Sequence, residues 1–298
     1  MHKLVSIIFL FSVGGVFSQS IENVDFRAEG KTIVVTYDFF HSKADTAINV
    51  ELVFKDQQGV VFNPKTITGD IKNVKPGESK RIVWDVLSNG ISLSGKYKAE
   101  VNIIRFNSVK IGNQVWTNEN LNVDRFQNGD IIPEAKTAEE WMAAGNAKRP
   151  AWCYVDNDPK NGEKYGKLYN WYAVNDKRGL ALAGWHVPSE EEWTVLSNFL
   201  GGEGVSGKKM KSTSGWNNNG TSVLNGNGTN SSGFSGLPGG FCQSGVGLFD
   251  VGNSGSWWSA SEANETTAWR RDLDYYRSYF YRSKSPKDYG FSIRCVKD

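Results

Sequence analysis

Between residues 32 and 104 the apolar positions recur at every second residue. Ile48, Val50, Leu52 and Phe54 alternate with Asn49, Glu51 and Lys55, while Ile82, Trp84 and Val86 share one parity, as do Tyr97, Ala99, Val101 and Ile103. A period of two puts alternate side chains on opposite faces of an extended chain, so strands are predicted over 32–40, 48–55, 81–86 and 95–104. Gln57-Gln58-Gly59, Pro76-Gly77 and Asn89-Gly90 supply the turns between them. Short alternating strands at this spacing predict an all-β sandwich of immunoglobulin or fibronectin III character over residues 19–106. The span contains no cysteine, which excludes an antibody-type disulfide. Its plainest role is that of a spacer.

After residue 106 the pattern changes. Thr137-Ala138-Glu139-Glu140 reads as a capping box opening a helix from Trp141 to Ala144. Ser189-Glu190-Glu191-Glu192, just after Pro188, opens a second helix with apolar positions Trp193, Leu196, Phe199 and Leu200, and Gly201-Gly202 ends it. Long loops lie between and beyond these helices, and 217–240 holds little that forms a regular element.

Alternation returns near the C-terminus. Arg270, Asp272, Asp274 and Tyr276 have one parity; Trp269, Arg271, Leu273 and Tyr275 have the other, and only the second set includes residues that favour a core. Tyr, Ser and Arg make adaptable binding surfaces at modest entropic cost. The expected binding face is Arg270, Asp272, Asp274, Tyr276, Arg277, Tyr279 and Tyr281, held in place by Trp269, Leu273, Phe280, Phe291 and Ile293.

Composition refines this outline. Of 11 tryptophans only Trp84 precedes residue 107, so the loop-rich part carries far too much apolar area for a disordered segment. A net charge of +2 gives no global argument for a nucleic-acid partner. Residues 1–18 combine His2 and Lys3, an apolar run from Leu4 to Val16 and a small-residue site before Gln19, the pattern of a secretory signal peptide. Gln19 rather than a cysteine stands directly after it, against a lipid-anchored start, and no later run of about 20 apolar residues predicts a transmembrane segment. Export to an oxidising compartment would allow Cys153, Cys242 and Cys295 one disulfide, with one thiol left over; spacing does not choose the pair.

Catalytic signals are sparse. His2 lies in the signal, His41 in the sandwich, and His186 beside Trp185 reads as a packed, hydrogen-bonded residue rather than a base. No nucleophile-elbow motif occurs. Asp156, Asp158, Asn161 and Glu163 form a candidate calcium set of hard oxygen donors, in a sequence that is also ordinary turn chemistry and lacks EF-hand spacing. Exposed Trp and Tyr rings, with Asp and Asn beside them, suit carbohydrate.

Val109-Lys110-Ile111-Gly112-Asn113-Gln114-Val115-Trp116, Tyr165-Gly166-Lys167-Leu168-Tyr169-Asn170-Trp171, Gly184-Trp185-His186-Val187-Pro188, Leu237-Pro238-Gly239-Gly240-Phe241 and Gly290-Phe291-Ser292-Ile293-Arg294-Cys295 resemble the Fibrobacter succinogenes major paralogous domain family over residues 107–298. The resemblance implies an α+β C-type lectin-like domain akin to the formylglycine-generating enzymes. It also implies a Cys153–Cys295 disulfide. Cys242, where the family more often has a basic residue, departs from the pattern and reads as a free, partly buried thiol. The enzymes of that fold use two closely spaced C-terminal cysteines, and only Cys295 stands there. The expectation is a secreted or cell-surface, non-enzymatic protein binding an extracellular protein or carbohydrate; a divergent enzyme on that fold and a structural envelope protein compete with it.

Overall fold

In the N-terminal part the alternating segments pair as antiparallel strands. The computed structural model describes residues 19–42, 48–62, 64, 66–72, 74–86, 96–104, 107–218, 226–243 and 247–298. The expected signal (1–18) and the Asn89-Gly90 turn lie outside them. The chain divides into two compact units, residues 1–105 and 106–298.

The first unit contains β1 (Gln19–Glu29), β2 (Thr32–His41), β3 (Asn49–Asp56), β4 (Val61–Phe62), β5 (Ile67–Gly69), β6 (Gly77–Asp85) and β7 (Tyr97–Ile104). They form two sheets, ordered β1-β2-β6-β5 and β4-β3-β7. Val35, Tyr37 and Phe39 of β2, Val50, Leu52 and Phe54 of β3, Ile82 and Trp84 of β6, and Ala99 and Val101 of β7 meet in one core. Both sheets therefore bury the parity that the sequence pattern marks as apolar. The strand β1, which the alternation did not predict, lies along the edge of β2 with mostly exposed side chains.

The second unit begins with β8 (Ser108–Ile111), β9 (Gln114–Thr117), α1 (Ala138–Asn146), β10 (Trp152–Tyr154), α2 (Asn161–Tyr165), β11 (Lys167–Asn170) and α3 (Trp171–Val174). It continues through β12 (Trp185–His186), α4 (Glu190–Phe199), α5 (Glu203–Met210), β13 (Phe241–Gln243), β14 (Gly247–Phe249), β15 (Ser254–Glu262), β16 (Thr267–Asp274), β17 (Tyr281–Pro286), β18 (Gly290–Phe291) and β19 (Val296–Lys297). Three antiparallel sheets result, ordered β10-β11-β18-β13-β14, β12-β19-β9-β8 and β15-β16-β17. Neither 211–218 nor 226–240 contains a helix or strand.

Ser189 caps α4 as expected: its Oγ accepts from the Glu192 amide while the Glu192 carboxylate accepts from the Ser189 amide at 2.8 Å. The α1 start is a correction. Thr137 Oγ1 accepts from the Glu140 amide, but the Glu140 carboxylate accepts from Lys136 rather than closing the box on Thr137.

The loops are held by side chains that donate into their carbonyls. Arg294 is fully buried; its Nε donates to Asn120 Oδ1 at 2.7 Å, and its guanidinium nitrogens donate to the carbonyls of Thr117, Phe234 and Ser235 at 2.6–2.9 Å. Burial pulls its pKa down to about 9, so it remains charged at neutral pH. Tryptophan indoles add to this: Trp141 donates to Asp288 O and Trp152 to Ile132 O in loops, while Trp171 donates to Ser259 O of β15 and Trp258 to Tyr169 O of β11, all at 2.7–3.0 Å. A loop that lacks ladder partners must find donors elsewhere once it is buried. Indoles and a guanidinium provide them while filling space.

Candidate binding groove

The sheet β15-β16-β17 carries most of the predicted face. Asn264 Oδ1 shapes its first turn by accepting from the Thr266 and Thr267 amides. In register, Trp257 pairs with Arg271 and Arg271 with Arg282; Ser256 pairs with Asp272 and Asp272 with Tyr281. One face therefore holds Trp257, Arg271 and Leu273 against the core with Trp193, Phe234 and Phe280. The other holds Arg270, Asp272 and Asp274.

That second face opens as a depression of about 270 Å³ lined by Phe241, Asp250, Ser254, Ser256, Arg270, Asp272, Leu273, Asp274, Arg277, Tyr281 and Ser283. Asp272 accepts from Ser256 Oγ at 2.6 Å, from Ser283 and from Arg270. Arg270 also donates to Ser256 Oγ and lies 4.8 Å from the Phe291 ring centroid. Burial raises the Asp272 pKa despite the Arg270 charge, and burial raises that of Asp274 despite backbone hydrogen bonds from Arg277 and Tyr276. Three buried polar atoms of the lining, Ser254 Oγ, Arg270 Nε and Asp274 Oδ1, have no hydrogen-bond partner.

Five of the seven predicted residues line this groove: Arg270, Asp272, Asp274, Arg277 and Tyr281. Tyr276 and Tyr279 do not. They stand exposed outside it and are joined to its rim, because Arg277 stacks on Tyr276 and donates to the Tyr281 hydroxyl at 2.6 Å, while Tyr279 packs edge-on against Tyr281. Within the expected face, Asp272 is only 14% exposed at its side chain and is ion-paired. Of the supporting set, Leu273, Phe280, Phe291 and Ile293 are buried, but Trp269 is only half-buried, under Arg282 at 3.8 Å and Lys284 at 4.7 Å. Ser254, Ser256 and Ser283 were missed. Their register with Asp274, Asp272 and Arg270 could have been found only by pairing the strands first.

Two elements hold the groove from behind. Arg271 donates to Glu190 of α4, to Glu203 of α5 at 2.6 Å and to Thr194 Oγ1 at 2.8 Å, so the buried side of β16 is tied to both helices. Lys211 donates to the carbonyls of Asp274 and Arg277 at 2.9 Å, and burial lowers its pKa to about 8.

The calcium expectation is corrected. Asn161 Nδ2 donates to Val155 O, Asp158 Oδ1 accepts from the Lys160 amide, and Asp156 takes a left-handed backbone in a 3₁₀ turn. Among the described residues no three His, Cys, Asp or Glu side chains gather to hold a metal, so Asp156, Asp158 and Glu163 do not converge. The segment is a turn leading into α2.

The Cys153–Cys295 pairing is also corrected. All three thiols are free and buried. Cys153 and Cys242 share one apolar cluster, whereas Cys295 packs in another with Trp258, Phe291 and Ile293. The side chain at 295 lies across a sheet from the side chain at 153, because alternate residues of β10 and β11 feed the two clusters. His186 bridges Glu192 Oε1 and Asp298 Oδ1 at 2.7 Å each. Burial acts to lower its pKa, but hydrogen bonds to the two carboxylates outweigh burial and raise it.

The sequence model of one family, described as Fibrobacter succinogenes major domain, matches residues 109–297. No curated protein and no solved structure matches the chain.

Proposed function

From the premise that the chain belongs to the Fibrobacter succinogenes major domain family, we propose a secreted or cell-surface, non-enzymatic protein that binds an extracellular carbohydrate in the groove of β15-β16-β17. In this reading the first unit is an immunoglobulin- or fibronectin III-like sandwich acting as a spacer, and the second is C-type lectin-like.

The observation that carries it is the chemistry of one depression. Carboxylates, guanidinium groups and serines line it, and exposed Tyr276 and Tyr279 flank its rim. Phenol rings offer a stacking surface to the apolar face of a pyranose, while alternating donors and acceptors match its hydroxyls. The lining contains no imidazole, and the Asp272 carboxylate to which Ser256 donates is also ion-paired with Arg270 and hydrogen-bonded by Ser283, so it is engaged as an acceptor within a fixed network. That supports binding over the enzymatic alternative.

The test is an array of extracellular polysaccharides and oligosaccharides probed with the parent and with a Tyr276→Ala, Arg277→Ala, Tyr279→Ala triple variant. Each exposed replacement should change stability by no more than about 0.5 kcal/mol, and carbohydrate binding should fall at least roughly tenfold, about 1.4 kcal/mol. Unchanged binding by a folded variant removes the groove from the account. Retention of a protein partner with no glycan bound replaces carbohydrate by protein as the ligand class.

A further inference from the structure

Cys153 lies on β10 and Cys242 on β13, two strands of one sheet with β11 and β18 between them. Both side chains leave the face that packs with Trp141, Tyr165 and Leu168. On the intervening β18, Cys242 is in register with Gly290, where a Cβ would come within 2.7 Å of the Trp141 ring and 2.9 Å of Cys242 Cβ. The bare backbone at Gly290 keeps this face clear. The two thiols lie within hydrogen-bonding reach of each other. Cys295, fully buried in a separate cluster, has neither of them as a neighbour there.

We infer that Cys153 and Cys242 form a disulfide that cross-links β10 to β13, and that Cys295 stays a free thiol. Of the three pairings it alone joins side chains that already share a cluster; geometry restricts a disulfide to side chains whose β-carbons can approach to within about 4.5 Å. In the reaction each thiol loses a proton and an electron and the sulfur–sulfur bond forms. The electron pair reduces the disulfide of an oxidant, such as oxidised glutathione or a disulfide oxidoreductase, to two thiols. The hydrogen bond with Cys242 and then burial raise the Cys153 pKa, which disfavours the attacking thiolate in the folded protein. Oxidation therefore belongs to folding, before the cluster closes. In the organism it rests on the export reading; the pairing itself does not.

The full chain is reduced, unfolded, refolded in a glutathione redox buffer, alkylated in denaturant and mapped without reduction. The expected map has one linked peptide pair containing Cys153 and Cys242, with alkylated Cys295. Cys295→Ser should leave that link in place. Cys242→Ser should abolish it and lower the melting temperature of the second unit by roughly 5–10 °C relative to the oxidised parent. Three alkylated cysteines after refolding, or a link through Cys295, overturns the pairing. Three free thiols in protein taken from the organism, alongside the link after refolding, supports the pairing and counts against export to an oxidising compartment.

Discussion

Both units bury aromatic side chains, but they satisfy their backbones differently. In the first, strands pair with strands, and Asn49 is the only buried residue outside the apolar and aromatic types among its described residues. In the second, Lys167, Asn170, Glu190, Lys211, Arg271 and Arg294 are all buried. Ladder pairing leaves a core free to be apolar. Buried loops instead bring carbonyls inside that need donors, and cations and indoles meet that need. Part of the charge in the second core thus serves its irregular chain, through Lys167 and Arg294, whereas Arg271 and Glu190 answer each other between β16 and α4.

The comparison breaks most readily at Arg294. Arg294→Met keeps length and removes the donors of three carbonyls, while Asn120 Oδ1 keeps only the Trp257 indole. The expected cost is about 3–5 kcal/mol, read by denaturant unfolding followed through tryptophan emission, which reports mainly the second unit. A cost below about 1 kcal/mol would mean that the carbonyls find other partners and that the buried cation is incidental. The matching change in the first unit is Leu52→Met, a shape swap in an apolar core, which should cost less than about 1.5 kcal/mol by far-UV circular dichroism melts.

Trp258→Phe sharpens the contrast at intermediate size. It retains most of the aromatic volume and removes the indole bond to Tyr169 O, with an expected cost of about 1–3 kcal/mol. If the cost does not exceed that of a volume-conserving swap in the first unit, the tryptophans are fillers only.

The smallest effect concerns pH. Because the folded pKa of His186 is raised, its contribution is fully present below the unfolded value near 6.5 and is lost as pH rises through the higher folded value. A side chain 41% exposed is screened, so the change should stay below about 1 kcal/mol. Melting temperature should fall above pH 6.5 more steeply in the parent than in His186→Asn; parallel curves would remove the bridge to Glu192 and Asp298 from the balance.

Legibility in the sequence followed the same division. Period-two alternation exposed β2, β3, β6 and β7 because each buries one face. It also assigned Arg270, Asp272 and Asp274 to a face opposite Leu273. What alternation could not show is that this face curves into a groove, since Ser254, Ser256 and Ser283 reach it from neighbouring strands and Asp250 from a loop. Helix α5 escaped because Glu203-Gly204-Val205-Ser206-Gly207 has little apolar periodicity. Its Gly207 is required by contact, as a Cβ there would come within 2.2 Å of Tyr279 O. That Cys153 and Cys242 share a cluster was missed because proximity between strands that are not neighbours leaves no trace in spacing.

The strand arrangement β12-β19-β9-β8 has a bearing on inheritance as well as stability. Val296 lies opposite Trp116, so the chain enters the second unit on β8 and leaves it on β19, strands of one sheet with β9 between them. A segment whose two ends lie on one sheet, a single strand apart, can be inserted into a surface turn of an unrelated host, or copied in tandem, through short junctions. Joining 298 to 108 through a short linker and reopening the chain at the 263–266 turn should therefore give a circular permutant that still folds.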